Sequence, residues 1–167
     1  GRLGRLLITF MLCASGVLKA PNLYLSLYLK THRQQYYALL QQVREQGDWE
    51  SWLEFFLTGV RETSRQAADA ASRLLELVGN HRKQLEALGR PAASALRVFQ
   101  YLQKHPIVTT SGVAKALNLS APTARKSITH LVEAGVLLET SGMQRYKRYV
   151  YDDYLKILSE GTEPLSR

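Results

Sequence analysis

Two groups of side chains carry recognisable chemistry. The first is cationic. Arg125 and Lys126 sit with Thr123 and Thr129 in the stretch 120–134, and Arg145, Lys147 and Arg148 follow, interleaved with Tyr146 and Tyr149. Such side chains neutralise phosphates, and on a helix they donate to base edges in a major groove. On a hairpin they follow the backbone or enter the minor groove. Between 120 and 150 the five cations are offset only by Glu133 and Glu139, a local surplus of three.

The second group is Gly1-Arg2-Leu3-Gly4-Arg5, directly before an apolar run. Free glycine amides, a helix N-terminus and two guanidiniums make an anion-binding arrangement. Solvated arginines at a chain end fit so short a motif as well.

Other chemistries lack their residues. Cys13 is the single cysteine, so no intrachain disulfide forms and a reducing cytoplasm is the expected compartment. In its apolar run Cys13 reads as a small buried hydrophobe. There is no Cys/His metal spacing, Walker loop or serine between glycines. His32 reads as a surface residue and His105 precedes Pro106 at a helix end. Neither these nor His81 and His130 has the context of a general base.

The elements that must position these groups follow from length and pattern. The chain has 167 residues, 46% of them hydrophobic, enough for one large or two small cores. The net charge of +8 favours polyanionic partners. Residues 1–90 hold 12 Lys+Arg against 8 Asp+Glu and residues 91–167 hold 10 against 6, so each part carries +4 and clustering decides. The run Leu6–Gly16 after Arg2 and Arg5 imitates a signal peptide, but it is shorter than the roughly 20 residues a spanning helix needs. No membrane partner is expected.

Residues 3–17 predict a buried helix, its leucines with Ile8, Phe10 and Met11 covering most of its circumference, stopped by Gly16 and Pro21. A second helix is predicted over Ser26–Arg44, ended by Gly47. Asp48 then caps a third, whose buried face is read as Trp49, Trp52, Leu53, Phe56, Leu57 and Val60. The pattern runs on through Val78, as one long helix or as two with a kink near Ser64 or Gly79. Its length is compatible with a homodimer and equally with packing inside one chain. Gly89-Arg90-Pro91 is the predicted domain boundary, giving a helical domain 1–90, a second domain 91–160 and a tail 161–167.

Beyond the boundary the elements shorten. Helices are predicted over Ala92–Lys104, over Ser111–Leu117 after a Thr109 or Thr110 cap, and from a Ser120 cap to Ala134. Strands Val136–Thr140 and Arg145–Tyr151 flank the turn Ser141–Gln144, and a last helix covers Tyr154–Ser159. This order is that of a winged helix-turn-helix with a two-stranded wing. Ala124, Ile128, Leu131 and Val132 are read as the buried stripe of the second helix of the motif. Pro122, Thr123, Arg125, Lys126, Thr129 and His130 are left outward. The expected partner is double-stranded DNA, through Thr123, Arg125, Lys126, Thr129, Arg145, Lys147 and Arg148. The alternative is a module that binds protein and no DNA.

The N-terminal segments resemble the Fic family. Its signature is His-Pro-Phe-x-Asp/Glu-Gly-Asn-Gly-Arg-x-Gly-Arg, and Gly1–Arg5 matches the last five positions. The Leu6–Leu12 helix, Leu23-Tyr24-Leu25-Ser26, Tyr36-Tyr37, Gly47–Trp52 and Phe55-Phe56 are similar to such proteins too, many of which end in a winged helix. The resemblance implies a mainly α fold, a partial all-helical Fic domain followed by the winged domain. It also implies AMP transfer from ATP, with Mg²⁺, to a hydroxyl of a target protein in the intact parent. Gly1, Arg2, Gly4 and Arg5 would then bind phosphate. The signature His, the base, and its metal-binding acid would precede residue 1. The chain is therefore expected to be the C-terminal portion of such a protein, without activity or cofactor of its own. Its winged domain would be regulatory, or would recruit targets or gate the Fic site.

Overall fold

The computed structural model describes residues 7, 10–16, 25–143 and 147–160. It is mainly helical, with one small antiparallel sheet. The chain divides into two compact units, residues 1–71 with 161–167, and residues 72–160.

In the first unit, α1 (Leu25–Thr31) and α2 (Arg33–Gln46) replace the single predicted helix. The break falls at His32, whose ψ of 36° is not helical. Its Nδ1 lies 3.0 Å from the Tyr28 carbonyl and its ring 4.3 Å from that of Tyr28, so His32 is half-buried rather than a surface residue. Gly47 closes α2 at φ 71°, a conformation that suits glycine. Asp48 accepts the Ser51 amide at 3.1 Å as predicted, and hydrogen bonding from the Ser51 hydroxyl, then from that amide, holds its carboxyl below the usual range. α3 follows as one continuous helix, Trp49–Glu86.

Leu25, Leu29 and Phe55 form the buried centre of this unit, flanked by Leu12, Tyr28, Tyr36, Leu39, Phe56 and Val60. α1 and α3 approach closely because Gly59 has no side chain. A Cβ there would lie 2.5 Å from the Tyr28 ring. Two predicted buried sets are exposed. Leu7, Phe10 and Met11 lie outward, as do Trp49, Leu53 and Leu57, with Trp49 at 61%. Of the predicted face Phe56 and Val60 do pack, joined by Phe55, which that face does not include, because Leu25, Leu29 and Tyr28 lie on that side.

In the second unit, α4 (Ala92–Leu102), α5 (Thr110–Ala116) and α6 (Ala121–Glu133) surround a core of Ala95, Val98, Phe99, Leu102, Val113, Ala124, Ile128 and Leu131. The sheet has three strands and not two: β1 (Ile107–Thr109), β2 (Leu138–Glu139) and β3 (Arg148–Val150), in the order β1-β3-β2. Val150 pairs with both Ile107 and Leu138. α7 (Asp152–Ser159) is the last element of the described residues. The last turns of α3 belong here. Leu85 is fully buried, and Leu77 and Val78 pack against the same core. Gly89-Arg90-Pro91 is therefore a turn inside this unit, between two of its helices.

Candidate nucleic-acid interface

The geometry of α6 is set by its cap and its buried stripe. Ser120 sits at the N-cap, and its Oγ accepts the Thr123 amide at 3.3 Å. Pro122 falls in the first turn, where its missing N–H costs nothing. Ala124, Ser127, Ile128 and Leu131 face the core. This stripe differs from the expected one at two positions. Ser127, 1% exposed, takes the place that periodicity assigns to Val132, which is 37% exposed. A polar residue carries no hydropathy signal, so periodicity alone passes it over.

Opposite that stripe, Pro122, Arg125, Lys126 and Thr129 are all exposed. Their spacing of i, i+3, i+4 and i+7 places them along one face. Neither Arg125 nor Lys126 makes an ion pair with a described residue. Thr123 lies to the side, half-buried, its hydroxyl 2.8 Å from Ser120 Oγ. It completes the cap more than it extends the outward face. His130 Nδ1 approaches Glu133 at 3.4 Å.

α5 and the wing meet at Thr109. Thr109 caps α5 by accepting the Gly112 amide at 3.1 Å. It is also the cross-strand partner of Arg148. Arg148 is exposed, while Tyr149 packs against the core. Successive strand residues point to opposite sides. Arg148 thus occupies the outer side of the wing, beside the first turn of α5.

Lys147 is placed differently. Its Nζ donates to Glu139 Oε2 at 2.7 Å across the hairpin, which holds the ammonium above the usual lysine value. Ser141 Oγ donates to the other Glu139 oxygen at 3.3 Å and accepts the Arg148 amide at 3.2 Å. The structure therefore brings Arg125, Lys126 and Thr129 together, sets Arg148 beside α5, and ties Lys147 to a carboxylate. Sequence reasoning does not find that pair, although Glu139 and Lys147 flank the predicted turn. Arg145 and the expected phosphate-binding set Gly1, Arg2, Gly4 and Arg5 lie outside the described residues.

Among the described residues no group of three His, Cys, Asp or Glu side chains is placed to hold a metal, and no helix is long and apolar enough to cross a membrane. Cys13 is free and half-buried.

Three helices, the last of them capped and facing outward, followed by a hairpin, define a winged helix-turn-helix. Residues 93–137 match the family model described as winged helix-turn-helix DNA-binding. The chain carries a domain of that kind. The match covers α4 to α6 and stops before the wing.

Proposed function

We propose that the winged domain binds double-stranded DNA with α6 in the major groove. Arg125, Lys126 and Thr129 enter the groove, the two cations reaching its flanking phosphates as well as base edges, and Thr123 lies at the groove edge. Arg148 and Arg145 track phosphates from the wing. The observation that carries this reading is that Arg125 and Lys126 are exposed opposite the buried stripe and make no ion pair with a described residue. Lys147, paired with Glu139, is left out of the contact set.

The test is a duplex-DNA titration at several salt concentrations. Affinity should fall steeply with salt. R125A and K126A each remove one cation that can neutralise a phosphate, and each should flatten the log–log slope by about 0.9. Salt-independent binding, or unchanged slopes in both variants, would overturn the assignment. A second reading, a protein-interaction module without DNA, draws support from Ile107 and Leu138, both about half exposed on either side of Val150. Absence of any DNA binding at low salt would favour it.

For the N-terminal unit, the resemblance of Gly1–Arg5 and the segments after it supports a Fic-type parent. That parent would transfer AMP from ATP to a protein hydroxyl, and the winged domain would serve as its regulatory part in a reducing cytoplasm. ATP and Mg²⁺ are assigned to no described residue. The chain alone should label no target when given radioactive ATP and Mg²⁺. Arg5→Ala in the complete protein should weaken ATP use, and unchanged ATP kinetics would remove Arg5 from the phosphate site.

A further inference from the structure

We propose that Glu139 is a built-in attenuator of DNA affinity, acting through Lys147. This rests on the DNA-binding reading above. Two observations point the same way. The Glu139 carboxylate takes the Lys147 ammonium at 2.7 Å, so a phosphate must compete with it for that cation. Ser141 Oγ, itself fixed to the Arg148 amide, donates to the second carboxylate oxygen and anchors Glu139 in place. The carboxylate is thereby tied through Ser141 to the Arg148 backbone, on the Tyr149 side of the hairpin and not the side that the Arg148 side chain takes. Both partners remain partly exposed, with side chains 42% and 27% accessible for Lys147 and Glu139. Exposed ion pairs contribute little to stability, so the wing does not depend on this one. A pair that contributes little to folding but holds back a wing cation that a phosphate could otherwise recruit tunes binding.

The experiment is a double-mutant cycle on the full chain, with E139Q, K147Q and both, read by duplex-DNA affinity against salt. E139Q should raise affinity about threefold or more near 50 mM salt and steepen the log–log slope by about 0.9, one further phosphate contact. K147Q should cost more in the E139Q background than in the wild type. Equal losses in the two backgrounds would sink the proposal. So would a fall in affinity on E139Q with the thermal midpoint preserved, since Glu139 would then be a positioning residue of the wing. Thermal melts of each variant separate an unfolded wing from an altered charge. If the wild type binds no DNA, or R125A and K126A leave binding unchanged, the DNA reading itself has failed and this proposal falls with it.

Discussion

His81 Nδ1 and the Tyr151 hydroxyl lie 2.8 Å apart. The contact joins α3 to the residue between β3 and α7, inside the core of the winged unit. The His81 ring also meets the edge of Phe99 at 6.4 Å, and Tyr151 stacks on Tyr154 at 5.1 Å. Tyr151 is fully buried, and burial pushes its hydroxyl well above the usual tyrosine range.

Burial lowers the His81 pKa from its ordinary 6.5, and the carboxylate of Asp153 partly opposes the shift. The folded protein therefore takes up this proton at lower pH than the unfolded chain does. The stability His81 contributes is complete above 6.5 and is lost as pH falls from there towards the lower folded value. Thermal melts should show the midpoint of the winged unit dropping between about pH 7 and pH 5, with a shallower drop in H81Q. Parallel curves would mean that His81 does not carry the effect.

Gly59 is constrained by space and not by backbone angle. A methyl there meets the Tyr28 ring at 2.5 Å, and a packed ring cannot rotate away as the end of a lysine would. Gly59→Ala should destabilise the N-terminal unit by roughly 1–3 kcal/mol. The loss should shrink when Tyr28→Ala is introduced as well. Urea denaturation of the four proteins measures it, and an additive pair would show that the two positions do not clash.

Two serines on α6 should respond with opposite signs. Ser120 caps the helix, so Ser120→Ala should cost about 1 kcal/mol. The buried Ser127 hydroxyl finds no hydrogen-bond partner among the described residues. Ser127→Ala should be neutral or stabilising by up to about 1 kcal/mol, because it removes an unsatisfied polar group. Denaturation midpoints that fall equally for both would show that Ser127 is bonded in solution.

The parts of the fold legible in sequence are those that local chemistry decides. Thr109, Ser120 and Asp48 cap helices where short polar side chains precede an apolar rhythm. Gly47 and Gly135 adopt the positive φ expected at helix ends. The parts that sequence does not reveal depend on a partner. Ile107–Thr109 is only three residues long and becomes a strand because β3 lies beside it. The rhythm of Trp49, Leu53 and Leu57 predicts an apolar face, but which face is covered depends on what packs there. The outward face of α6 can be read from spacing. The fate of Lys147 cannot, because its partner is set by hairpin register.

The burial of Leu85 bears on where the winged domain can be cut. A fragment starting at Pro91 would keep α4 to α7 and the whole sheet, yet it would leave a hole where Leu77, Val78 and Leu85 had been and strip Tyr151 of its imidazole neighbour. Such a piece would tend to aggregate through the uncovered leucine socket. One starting at Ser72 would take its own lid along and remain soluble enough for DNA-binding work.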